Sequence, residues 1–287
     1  MTTSTTGAPD PLSAGPAILF CPADRPDRYS KALSAADAVI LDLEDAVHSD
    51  RKQFARDALW ESLSELPVER TVVRVNSPRG PEGQADLELM HASGLRYVML
   101  PKVEDPREAN QLAPLSVIAL CETALGVENA HSIASAANCV GLMWGGEDLT
   151  ADIGGWSSRG VDGRYLSHVE YARSRILVAA AAARAVAWDG VYLDISDLAG
   201  LSAECDEAVA MGFSAKVAIH PSQAPVIRKA YRPTAEQIAW SEGLLAALEA
   251  ADSGVVSFGG RMVDGPQIAM ARAITTAGRN QPPQLTT

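Results

Sequence analysis

Eight short runs of aliphatic and β-branched residues recur along this chain, and each is followed by a segment with helical character. The runs cover residues 17–20, 38–43, 71–75, 97–100, 117–120, 140–144, 191–195 and 215–219. Strand–helix alternation of this regularity implies a parallel sheet, because parallel neighbours need a long crossover between them. Eight such units in about 215 residues fit a (β/α)8 barrel, whose functional face lies at the C-terminal strand ends. An open doubly wound sheet is the alternative. Against it, no G-x-G-x-x-G follows the first run, and polar residues stand after nearly every run rather than at one switch point.

The helical segments fall at about 27–34, 50–65, 83–92, 106–112, 126–136, 167–184, 202–211 and 221–230. Residues 149–166, rich in Gly, Ser, Trp and Asp, read as a long functional loop. Past the barrel, 234–251 reads as a helix with Thr234 as N-cap and Glu236 in the first turn. Residues 253–265 read as a hairpin or turn, and a last helix starts near Pro266. The map is therefore a tail (1–16), a barrel (17–232), a C-terminal extension or lid (233–277), and a second tail (278–287). The extension reads as too short for a core of its own.

Composition narrows the function classes. The 287 residues are 47% hydrophobic and 21% charged, enough for a large core. A net charge of −12 argues against broad nucleic-acid binding, which needs a basic surface. It leaves room for an anionic small substrate held by a local cation or a few arginines. No apolar run approaches the roughly 18 residues that span a bilayer, and the first residues lack the pattern of a secretory signal. Cys21, Cys121, Cys139 and Cys205 are scattered without metal spacing, as expected of reduced thiols in a cytoplasmic protein.

The chemistry-bearing feature is where the runs stop. In SVIALCETALG, residues 116–126, an apolar run ends at Glu122. A carboxylate there is costly unless that end meets water or a cation. The same pattern recurs, so a barrel would gather Asp24, Arg25, Glu44, Asp45, Arg74, Asn76, Lys102, Glu122, Glu147, Asp148, Asp194 and His220 at one mouth. So many carboxylates repel one another unless a hard divalent cation, Mg2+ above all, neutralises them. Glu122 and Asp148, from consecutive strands, are the expected ligand pair, and Gly145 and Gly146 would let backbone approach a ligand. Glu122 is expected to face a divalent cation rather than a lysine or arginine. Arg74 and Lys102 would balance the charge of a carboxylate or enolate. Blander readings stand beside these. Asp45 and Asp148 would serve equally as helix N-caps. Arg74 would pair with a structural carboxylate, and His220 would be a cap or core histidine. Asp45, His48 and Asp50 make no convincing metal triad.

The chain resembles the citrate lyase beta-subunit-like family. The resemblance is carried by LFCPADRPDRYSKAL, AVILDLEDAV, VVRVNSP, VMLPKVE, IALCETALGV, GLMWGGEDLTADIGG, YARSRILVAAAA, DGVYLDISDL, GFSAKVAIHPSQ and GGRMVDGP, in family order over about residues 16–277. Departures are Cys21, Cys121 and Trp144. The resemblance implies a Mg2+-dependent carbon–carbon lyase acting on a β-hydroxyacyl-CoA such as citramalyl-, malyl- or citryl-CoA, with a 2-keto acid as the other partner. It implies Glu122 and Asp148 as metal ligands, and Arg74, Glu122, Lys102 and Asp45 as substrate contacts. Arg74, Glu44 and Asp264 take catalytic roles, and Asp264 matches an aspartate that related lyases bring over a neighbour's site. A homo-oligomer, trimer or hexamer, is expected. Two competing readings keep the fold: a lyase-complex subunit served by an acyl-carrier protein, and a barrel without activity.

Overall fold

The computed structural model describes residues 14–251 and 255–279. Residues 1–13, 252–254 and 280–287, which include most of both expected tails and the start of the expected hairpin, lie outside the described residues. The chain forms two compact units divided between Arg228 and Lys229, where the sequence set the boundary after residue 232.

In the first unit, eight parallel strands close into a barrel in sequence order. They are β1 (Ala17–Pro22), β2 (Ala38–Asp42), β3 (Thr71–Arg74), β4 (Tyr97–Leu100), β5 (Ser116–Cys121), β6 (Cys139–Trp144), β7 (Val186–Asp189) and β8 (Ala215–Ala218). The intervening α-helices are α1 (Tyr29–Ala35), α2 (Lys52–Glu61), α3 (Pro81–Ser93), α4 (Pro106–Asn110), α5 (Ala124–Glu128), α6 (Ala130–Ala134), α7 (Gly146–Ile153), α8 (Ser167–Ala183) and α9 (Leu198–Met211), and α10 (Ala224–Ala230) follows β8. The expected loop at 149–166 is helical in its first part, as the end of α7.

The seventh strand departs from the sequence reading. It is Val186–Asp189, not residues 191–195. The helix before it ends where the sequence places it. Arg184, at φ 61°, takes the left-handed position after the helix, and Ala185 N–H returns to Ala180 O at 2.9 Å. That position usually belongs to glycine. The sequence reading ends the helix correctly, at 184, and passes over the short run 186–189 for the more strand-like VYLDI at 191–195. Asp194 then falls in a loop, where its Oδ1 accepts from Ser196 N at 2.9 Å.

Side chains alternate across each strand. The barrel interior takes Ile18, Ile40, Val72, Met99, Ile118, Leu120, Met143, Trp188 and Val217. The same parity carried toward the strand ends sends Phe20, Asp42, Arg74, Glu122, Gly145 and Gly190 to the interior mouth. The opposite parity faces the helices. Two register pairs of opposite charge follow from this: Asp42 beside Arg74 on β2 and β3, facing in, and Asp189 beside Lys216 on β7 and β8, facing out.

The second unit holds α11 (Ala235–Ala250), the antiparallel strands β9 (Val256–Phe258) and β10 (Arg261–Val263), and α12 (Gly265–Arg279). Thr234 caps α11 in a reciprocal box with Gln237. This unit does have a small core, Leu244, Val263, Ile268 and Ala271, flanked by Leu248 and Phe258. The sequence reading missed it because the hairpin residues supply part of it. Among the described residues, no helix is long and apolar enough to cross a membrane.

Candidate active site

A cavity of about 460 Å3 opens at the C-terminal mouth of the barrel. Its walls include Phe20, Asp42, Asp45, Arg74, Leu120, Glu122, Met143, Trp144, Gly145, Glu147 and Asp148, with Arg159 and Tyr165 from the segment before α8.

Asp42 organises one side. Its carboxylate accepts Arg74 Nε at 2.7 Å and Nη2 at 2.6 Å, a bidentate fork. It also accepts the backbone N–H of Glu44 at 2.9 Å and of Ala46 at 3.1 Å. One buried side chain thus holds both the guanidinium and the loop carrying Glu44 and Asp45. The guanidinium lies 4.8 Å from the Phe20 ring centroid. Burial opposes the Arg74 charge, but Asp42 and Glu44 outweigh it and raise its pKa. Arg74 therefore pairs with a structural carboxylate and lines the cavity as well.

Lys102 joins the other side. Its ammonium lies 2.7 Å from Glu44 Oε1, 3.3 Å from Asp148 Oδ1, 3.5 Å from Asp45 Oδ2 and 3.9 Å from Glu122 Oε1. Its φ of 53° is left-handed, a conformation that costs a non-glycine residue about 1–2 kcal/mol. That turn directs its backbone N–H to Glu122 Oε1 at 3.2 Å. A lysine does therefore face Glu122, contrary to the expectation that only a divalent cation would.

It does not neutralise the group. Burial and the Asp148 charge push the Glu122 carboxyl up to about 8, against the pull of Lys102 and Arg74. Burial likewise raises the Glu44 carboxyl. Glu44 Oε2 is buried and has no hydrogen-bond partner, although Arg74 Nη1 is 3.0 Å away; the two are ion-paired but misaligned. The site holds more negative charge than its cations satisfy.

Glu122 and Asp148 do not serve as helix N-caps. Thr123 caps α5, its Oγ1 accepting Gly126 N at 3.0 Å, and Gly145 takes the cap position of α7. Asp148 sits in the first turn of α7. A Cβ on Gly145 would lie 2.6 Å from Glu122 Oε2, so glycine leaves that oxygen its space. No group of three or more His, Cys, Asp or Glu poised around a metal ion is present among the described residues. Two carboxylates with open positions suit Mg2+, which keeps several waters and takes the rest of its octahedron from substrate. The raised Glu122 carboxyl and the excess of acid fit a divalent cation.

Most of the other predicted residues lie apart. Asp24 accepts Arg51 Nε at 2.7 Å, and Arg25 pairs with Asp27 at 3.0 Å. Asn76 is structural: its Nδ2 donates to Asp86 and Leu43 O, and its Oδ1 accepts Lys52. His220 is a cap, its Nδ1 accepting Ser222 N at 3.2 Å. Glu147 lines the cavity and accepts Ser158 Oγ. Asp264 belongs to the second unit, where its N–H meets Gln267 Oε1 at 3.3 Å. The sequence reading missed Asp42, Arg159 and Tyr165. Asp42 had a signal, since it and Arg74 are opposite charges at the ends of consecutive apolar runs.

The chain is similar to proteins of known family. The HpcH/HpaI aldolase/citrate lyase family model matches residues 17–221. Citrate lyase subunit beta-like protein of Mycobacterium tuberculosis is 49% identical over 262 residues, covering 91% of this chain and 95% of its own length. Mitochondrial citramalyl-CoA lyase of Homo sapiens is 33% identical over 292 residues, covering 91% and 84%. The crystal structure of CitE from Mycobacterium tuberculosis with magnesium, acetoacetate and coenzyme A superposes with a TM-score of 0.90 at 48% identity, covering 94% of this chain and 100% of that one. The chain belongs to the HpcH/HpaI aldolase/citrate lyase family, and with it to the carbon–carbon lyases.

Proposed function

We propose that this protein is a Mg2+-dependent lyase that cleaves, or in reverse forms, a β-hydroxyacyl-CoA such as citramalyl-, malyl- or citryl-CoA. The observation that carries the reading is Glu122: a carboxylate 2% exposed, pushed up to about 8 and crowded by Asp148, at the mouth of a barrel. Glu122 and Asp148 would hold the metal. When bound, Mg2+ supplies Lewis-acid polarisation of the substrate oxygen and a template for the acid half.

The chain's own residues do the rest. Arg74, locked by Asp42 through Nε and Nη2 and ion-paired to Glu44 through Nη1, lines the cavity and supplies positive charge for a substrate carboxylate. Glu44, with raised proton affinity and an Oε2 that accepts no hydrogen bond, takes the hydroxyl proton. The O–H bond breaks, the C=O of the keto acid forms, and the Cα–Cβ bond releases its electron pair to the thioester half. Lys102, together with Arg74, stabilises the resulting enolate charge. A proton on Cα completes the acyl-CoA, with Asp264 of a neighbouring subunit as the donor. The protein would then work as a cytoplasmic trimer or hexamer.

Purified protein incubated with each candidate thioester tests this. Release of acyl-CoA that needs Mg2+ and stops with EDTA supports it. Activity only after a carrier protein is added favours the lyase-complex subunit, and no turnover of any thioester overturns the reading. Mixing Arg74→Ala with Asp264→Ala subunits should restore activity if Asp264 acts across subunits.

A further inference from the structure

Trp144 stands directly before Gly145 and the α7 turn that carries Asp148. It is 1% exposed. Its indole N–H donates to Asp189 Oδ1 at 2.9 Å. Its ring meets the Tyr165 ring edge-on, with centroids 5.2 Å apart. Both contacts lead to one residue. Asp189 accepts Lys216 Nζ at 2.8 Å, and Tyr165 donates to Glu204 Oε1, which accepts the same Nζ at 2.9 Å. Trp144, Asp189, Lys216, Glu204 and Tyr165 close a circuit. Lys216 and Asp189 are fully buried, and a Cβ at Gly190 would stand 3.1 Å from the indole. Ser158 ties the same segment back to Glu147, the residue before Asp148.

We propose that this circuit is a brace that sets the spacing of Asp148 from Glu122 and thereby the affinity for the divalent cation. Trp144 and Tyr165 act as positioning residues, and Lys216 anchors both. Three observations support this over simple packing. The indole is held by a directional hydrogen bond as well as by contact. The anchor is a buried ammonium with three acceptors, the third being Gly190 O at 2.9 Å, which fixes direction as well as volume. The braced backbone is the one that presents Asp148 and leaves room for Glu122 Oε2 at Gly145. Residues that orient metal ligands without touching the metal typically change affinity by about 10–100-fold when altered.

The inference rests on Glu122 and Asp148 being the metal ligands. Its test is titration of the full chain with Mg2+ by calorimetry and with Mn2+ by electron paramagnetic resonance, beside thermal unfolding. Trp144→Phe keeps an aromatic ring and deletes the N–H. Tyr165→Phe keeps the ring and deletes the hydroxyl. Each should weaken cation binding about tenfold. Glu122→Gln is the reference and should abolish binding. If Glu122→Gln loses the cation but both aromatic variants bind as wild type does, whatever their melting temperatures, the brace is overturned and the metal site stands. If Glu122→Gln also binds as wild type does, the metal assignment falls and takes the brace with it.

Discussion

Asp42 and Arg74 are register neighbours on β2 and β3, and Asp189 and Lys216 are register neighbours on β7 and β8. Each pair is a carboxylate beside a cation in a parallel barrel, yet the two end in opposite electrostatic states. Parity separates them. The first pair points into the mouth and joins five carboxylates (Asp42, Glu44, Asp45, Glu122, Asp148) to two cations (Arg74, Lys102). The second points out to α8 and α9 and joins three carboxylates (Asp189, Glu204, Glu207) to three cations (Arg159, Arg173, Lys216). In the balanced cluster, burial alone would raise the Asp189 carboxyl, but Lys216 and Arg173 hold it below its ordinary range. In the unbalanced one, Glu122 rises to about 8. Matched charge makes a scaffold, and unmatched charge makes a receptor for something that completes it.

The largest expected effect comes from Glu122→Gln. It should lower kcat at least about a hundredfold and at the same time raise the melting temperature of the metal-free protein at neutral pH, because folding no longer has to bury a carboxyl that the unfolded chain ionises. Asp189→Asn should do the reverse to stability, costing about 3–5 kcal/mol in denaturant titrations by leaving Lys216 and Arg173 under-compensated. If both variants destabilise equally, the contrast between the clusters is broken. Asp42→Asn should lower kcat/KM by about a hundredfold through misplacement of Arg74, with a smaller stability loss than Asp189→Asn, measured on the same samples.

Proton linkage sharpens the comparison. The folded Glu122 carboxyl lies above its ordinary 4.5, so the native state holds the proton longer than the unfolded chain. Its contribution to stability should therefore fall as pH rises from about 4.5 to about 8 without Mg2+, and Glu122→Gln should flatten that slope. Asp189 is shifted down, so its stabilisation is present above the ordinary carboxylate range and fades only as pH falls through its folded value. Lys216 is shifted up, so its share is full below its ordinary range and fades as pH rises through its folded value. Smallest of all, Thr234→Ala removes the α11 capping box in the second unit, with an expected cost of about 1 kcal/mol and no change in Mg2+ affinity.

The barrel was legible because parallel strands buried on both faces read as apolar runs, and loops at their ends carry polar residues. Glu122, Arg74 and Lys102 were legible for the same reason, as charges where an apolar run stops. What escaped depends on space rather than text. Asp189 and Lys216 lie 27 residues apart and become neighbours only once the strands are registered. β7 was displaced because its four residues, VAWD, carry a weaker strand signal than VYLDI just after them. Arg159 and Tyr165 sit in a segment without periodicity, and nothing local says that they fold back toward β6 and α9.

Gly145 is at φ −129°, a conformation open to every residue, so its backbone does not demand glycine. The constraint is the oxygen of Glu122 lying where a methyl group would go. A saturation scan scored on turnover would thus flag position 145 as strongly as a reactive group, although it contributes no functional atom. Its tolerance would change with the partner: Glu122→Ala, itself inactive, should make larger residues at 145 harmless to folding. That dependence between two positions on neighbouring strands would record the shape of the site in sequence variation without any reference to chemistry.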